Sequence, residues 1–129
     1  MENNDFVGIP WVKGESGFDG ADCWGLVLLY YRTVFGKKIK EYDKYIPEGP
    51  ERKRVIDTEK QSTGWKKLAR PQEGAVCVMA LLSENNFSHV GVCLNSKDVL
   101  HSLSGCSIIT KIEVLKRKFL ALEFYECLL

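Results

Sequence analysis

The chain has 129 residues, a formal net charge of +1 and 45% hydrophobic residues. That length suits one domain around one modest core, and a near-neutral surface of mixed sign gives no electrostatic footprint for nucleic acid or an anionic membrane. No apolar run is long enough to span a bilayer and no signal peptide is visible, so synthesis in the cytoplasm without export is expected.

Residues 1–8 are read as a short helix or an irregular lead-in. Ile9-Pro10-Trp11-Val12 is apolar and extended, because proline biases its predecessor away from helix. The glycine-rich stretch from Lys13 to Gly20 is a loop that delivers the chain to a helix. That helix is predicted over Cys23 to Phe35, with Asp22 as its N-cap and Gly36 as its stop. Its residues from Trp24 onward are largely apolar, so most of it is expected inside.

Lys40 to Leu68 is a polar middle. Pro50 suits the first position of a second helix running to about Gln61, with Gly64 ending it. Trp65 and Leu68 are expected to pin the segment down before a turn at Arg70 to Gly74. The short basic clusters at Arg52-Lys53-Arg54 and Lys116-Arg117-Lys118 read as solvated helix faces.

The pattern then changes to strands. Ala75 to Ala80 is a continuous apolar run, as in a buried central strand. Ser83 to Ser88 reads as a hairpin loop, His89 to Leu94 as a second strand and Val99 to Leu103 as a third. Ser107 to Ile112 suits a fourth strand, Lys111 to Lys118 a helical turn, and Leu120 to Cys127 a closing strand. A helix followed by an antiparallel meander is an α+β arrangement.

The chemistry rests on few residues. A helix N-terminus favours the thiolate form of a cysteine there, which is the nucleophile; the neighbouring Asp22 carboxylate opposes this. The chain holds two histidines, His89 and His101. Alternation along strands puts His89, Gly91 and Cys93 on one face and Val99, His101 and Leu103 on one face of the next strand. Adjacent antiparallel strands then present the two imidazoles side by side. A Cys23 helix packed on that face would bring the thiol near His89, with His89 as general base and His101 as the group that orients it. The Cys23 backbone N–H is a candidate oxyanion donor. A Cys/His/His metal site is a weaker reading of the same residues, because no CxxC or HxxxH spacing is present. Cys77, Cys93, Cys106 and Cys127 read as core or incidental reduced thiols, Asp22 as a cap, and Trp24 and Trp65 as packing residues.

These residues carry a resemblance. Gly8 to Val12, Gly20-Ala21-Asp22-Cys23-Trp24-Gly25-Leu26-Val27, Pro71 to Val76, Ser88-His89-Val90-Gly91-Val92 and Val99-Leu100-His101-Ser102 follow in an order and spacing similar to the NlpC/P60 family of papain-like cysteine peptidases, most of all its phage-tail branch. The resemblance implies one catalytic domain over residues 1–129, with the catalytic helix packed on an antiparallel sheet. It implies Cys23 as nucleophile, His89 as base and His101 as third polar residue, with no cofactor and no metal. It also implies peptide stems of bacterial peptidoglycan as substrate, often cleaved between D-γ-glutamyl and a diamino acid, and phage tail-tip proteins as partners, which would carry the enzyme to the wall inside a virion. The family commonly has tyrosine where Trp11 stands, so Trp11 is carried over only as a candidate for lining the substrate pocket. No wall-binding repeat module accompanies the domain, so targeting is expected from a partner or from the place of delivery. A structural tail-tip assembly protein with dispensable or lost activity is the alternative. A different acyl transfer on the same Cys-His pair ranks last, since nothing in the sequence suggests a lipid substrate.

Overall fold

The computed structural model of the chain describes residues 2–39, 64–81, 87–102 and 105–128. Its centre is a helix, α1 (Cys23–Tyr30), all eight residues of which are buried. A helix apolar on every side must be covered on every side. One side lies on the main sheet, another on a small hairpin of β1 (Ser16–Gly17) and β2 (Gly20–Ala21). A 3-10 turn at Asn3–Phe6 adds the fully buried Phe6, whose ring lies 5.3 Å from that of Tyr30 and 5.5 Å from that of Phe18. The predicted helix ends in two parts. Its regular α portion stops at Tyr30, and a wider π turn over Tyr31–Phe35 carries it to Gly36, whose φ of 63° gives the left-handed stop.

The main sheet contains β3 (Trp65–Leu68), β4 (Val76–Leu81), β5 (Phe87–Cys93), β6 (Asp98–His101), β7 (Ile108–Lys111) and β8 (Phe119–Cys127). The spatial order is β3-β8-β4-β5-β6-β7, with every described pairing antiparallel. Strands β4 to β7 form the expected meander. A short helix, α2 (Ile112–Lys118), then returns the chain so that the closing strand β8 enters between β3 and β4.

Trp65 and Leu68 therefore anchor their segment as members of a strand, with Trp65 opposite Cys127 and Leu68 opposite Phe124. The sequence Trp-Lys-Lys-Leu lacks the period-two alternation that marks a strand, which hid β3 from the sequence reading. Phe87 and Ser88, expected in a loop from Ser83, belong to β5, and residues 83–86 of that expected loop lie outside the described residues. The helix expected from Pro50 lies outside the described residues.

Two clusters fill the core, one on each face of the sheet. α1 shares its cluster with Val76, Val78, Val90, Val92, Leu94 and Leu100. The other contains Cys77, Met79, Cys93 and Val99 beneath Ile112 and Leu115 of α2, together with Phe119 and Phe124 of β8. The helix thus covers the Val90-Val92-Leu94 face of β5, whereas the sequence places it on the face of His89, Gly91 and Cys93. Alternation defines two faces of a strand, but it does not say which face a given helix will cover.

Candidate active site

The helix start is held by Asp22. One carboxylate oxygen accepts from the Gly25 N–H at 2.7 Å, and the other accepts from the Gly14 N–H at 2.8 Å. The first bond is the N-cap that the sequence predicts; the second ties the preceding loop to the same carboxylate. Gly25 lets this happen, since a Cβ there would stand 1.9 Å from the Glu15 carbonyl oxygen and 2.9 Å from Asp22 Oδ1. Cys23 is the first residue of α1 and is 3% exposed. Its helix packs against β5 and β6, the strands that carry the two histidines.

His89 and His101 are brought together directly. His89 Nε2 lies 3.1 Å from His101 Nδ1, and the rings meet edge-on. They are not directly opposite residues. The partner of His101 across the strands is Gly91, two positions beyond His89, so the imidazoles meet on a diagonal. Gly91 is the residue that leaves the space: a Cβ there would come within 2.9 Å of His101 Cβ and 2.7 Å of the Leu100 oxygen. Just before His89 the pairing of β4 and β5 slips by one residue, between Met79 and Ala80. Such slips re-aim side chains and are common beside functional sites.

Both imidazoles are almost fully buried, His89 at 1% exposure and His101 at 3%. His89 stacks on Phe119, with ring centres 6.1 Å apart and planes 14° from parallel. His101 Nε2 lies 2.9 Å from the Thr110 hydroxyl. Burial, and then the Lys118 ammonium, push the His101 imidazole down to about 4, so it is neutral at ordinary pH. Neutral imidazole accepts at one nitrogen and donates at the other, which matches its two bonds.

Trp11 is partly buried. Its segment is held between both halves of the site. Ala21 N–H donates to the Pro10 oxygen and Trp11 N–H donates to the Gly105 oxygen. The backbone of Pro10 bridges to Cys106, and Ser107 hydroxyl accepts from Ile9 N–H. Trp11 thus runs beside the residues that lead into α1 and those that follow His101.

None of the five cysteines is bridged. Cys77 and Cys93 are fully buried, and burial pushes the Cys93 thiol up to about 12 and the Cys77 thiol higher than usual as well. Such thiols are poor nucleophiles, as the sequence reading holds. Among the described residues no group of three or more His, Cys, Asp or Glu side chains is arranged to hold a metal ion. Sequence reasoning passed over Thr110. Its link to His101 depends on strand register, for which a lone threonine in an apolar run gives no signal.

The profile of the NlpC/P60 family matches residues 8–124. A relative, the tail tip assembly protein K of Escherichia phage N15, is 28% identical over 99 residues, which are 74% of this chain and 38% of that protein. The chain therefore spans well under half of that relative's length. The crystal structure of the NlpC/p60 domain of the peptidoglycan hydrolase SagA superposes with a TM-score of 0.58 at 16% identity, covering 95% of this chain and 89% of the other. That likeness confirms the α+β fold, and the family match spans nearly the whole sequence: the chain belongs to the NlpC/P60 family, whose members are in general cysteine peptidases.

Proposed function

We propose that the protein is a cysteine peptidase that hydrolyses peptide stems of bacterial peptidoglycan, at the bond between D-γ-glutamyl and a diamino acid, as a component of a phage or prophage tail. Residues 1–129 act as one catalytic domain. The observation that carries this reading is the buried, directly bonded His89–His101 pair; the role of Cys23 rests on its place at the start of α1 and on the family match, since the body of α1 covers the opposite face of β5. His89 takes the thiol proton through Nδ1, since its Nε2 is turned to His101. The Cys23 sulfur attacks the scissile carbonyl and forms a thioester, while the imidazolium returns its proton to the departing amine. The backbone N–H of Cys23 stabilises the oxyanion. Water, activated by His89, then hydrolyses the thioester. Trp11 lines the cleft that receives the stem.

The test is digestion of purified peptidoglycan and soluble muropeptides by the wild type and by Cys23→Ala, read by mass spectrometry. New stem fragments with the wild type alone are expected, and their masses name the bond. Turnover retained by Cys23→Ala sinks the mechanism. The name of the matched phage relative, an assembly protein, favours a second reading in which the domain builds the tail tip and its activity is dispensable. Particles carrying Cys23→Ala that assemble normally but fail on intact walls eliminate that purely structural role.

A further inference from the structure

The polar line on this face of the sheet does not stop at His101. On β6 and β7, Val99 pairs with Thr110 and His101 with Ile108. On β5 and β6, Gly91 pairs with His101. His89, His101 and Thr110 therefore fall on one diagonal across three strands, each two residues removed from direct opposition. The contacts along it are 3.1 Å and 2.9 Å.

Protons on this line can run in one of two directions. In the first, His89 Nε2–H donates to His101 Nδ1, and His101 Nε2–H donates to the Thr110 hydroxyl oxygen. His89 Nδ1 then carries a lone pair. In the second, the Thr110 hydroxyl donates to His101 Nε2, and His101 Nδ1–H donates to His89 Nε2. His89 Nδ1 then carries the proton and is useless as a base. Only the first direction equips His89 to take a proton from a thiol. It requires an acceptor for His101 Nε2–H in a place where that ring is 3% exposed. A buried N–H left without an acceptor is costlier and rarer than a buried acceptor left without a donor.

We propose that Thr110 is a positioning residue that accepts from His101 Nε2–H and so holds His89 in the tautomer with a free lone pair at Nδ1. The inference rests on the reading of His89 as general base. Thr110 itself touches no substrate. It acts through His101, and the partial exposure of its side chain leaves its own hydroxyl proton able to turn toward solvent.

The tautomers can be read directly from imidazole nitrogen shifts in 15N-labelled Cys23→Ala protein at neutral pH, where no thiolate complicates the spectrum. Both rings are expected in the Nε2–H form. In Cys23→Ala/Thr110→Val, His89 is expected to move toward the Nδ1–H form, and Thr110→Ser in its place is expected to restore the original spectrum. Thr110→Ala carries the same expectation as Thr110→Val if the branched variant folds poorly. With Cys23 present, Thr110→Val should lower kcat about tenfold or more with KM nearly unchanged, and Thr110→Ser should recover most of it. Unchanged tautomers in Thr110→Val, or a His89 already in the Nδ1–H form beside a native Thr110, overturn the proposal. A wild type inactive on every stem peptide would count against the peptidase reading alone, because the spectra decide the role of Thr110 without turnover.

Discussion

The two faces of the main sheet are built from alternate residues of the same strands, yet they are stabilised in different ways. Beneath α1, Val76, Val78, Val90, Val92 and Leu100 meet Leu26, Val27 and Leu29 in an apolar cluster. Beneath α2, Cys77, Met79, Cys93 and Val99 share the space with two buried imidazoles and a hydroxyl. Burying polar rings is costly unless their nitrogens are bonded, and here they bond to one another and to Thr110 along a diagonal. The two faces divide the roles. The α1 face supplies the apolar burial that holds the helix start in place, and the α2 face carries the polar groups whose proton positions matter.

Substitutions that separate activity from stability test this division. The largest expected effect is on activity. His89→Ala should reduce turnover of stem peptides by about a thousandfold, the scale of a lost general base, while its urea unfolding midpoint moves less than that of a core truncation. Near-wild-type turnover in that variant would remove His89 from the chemistry and leave the α2 face as mere packing. Leu26→Ala probes the opposite face. Leu26 is fully buried in the α1 cluster, so its loss should cost about 3–5 kcal/mol of folding stability. Turnover by the fraction that remains folded should be close to normal. A drop in kcat of the folded Leu26→Ala protein would show that the faces are coupled through the helix start.

Much of this was legible in the sequence, and the exceptions share a cause. The cap at Asp22, the stop at Gly36, the meander and the pairing of His89 with His101 follow from local rules: a carboxylate before an apolar run, a left-handed glycine, alternation along strands. What escaped depends on register between distant segments. β3 has no alternation of its own and is defined by its partner β8, more than fifty residues away in sequence. The face taken by α1 depends on which side of β5 the rest of the core fills. Thr110 joins the line through a two-residue offset on β7, which appears only once the pairing of Val99 with Thr110 is known. Local propensity carries no information about such offsets.

The smallest effect is the most specific to the α2 face, and it concerns acid. In the folded protein the His101 imidazole is held at about 4 against an ordinary value of 6.5, mainly by burial and secondly by Lys118. Between those two pH values the unfolded chain binds a proton that the folded chain refuses. The contribution of neutral His101 is therefore fully present above about pH 6.5, is lost as the pH falls, and levels off below about 4. At about 1.4 kcal/mol per pH unit, the loss is about 2 kcal/mol between pH 6.5 and 5. His101→Asn keeps a polar side chain on the face but removes the titrating ring. Its stability, followed by urea midpoints over this range, should fall less steeply than that of the wild type, while acid effects from surface carboxylates remain common to both. Parallel curves would mean that burial does not hold His101 neutral. The same neutrality is a precondition for His101 Nδ1 to accept from His89, because an imidazolium donates at both of its nitrogens and has no acceptor to offer.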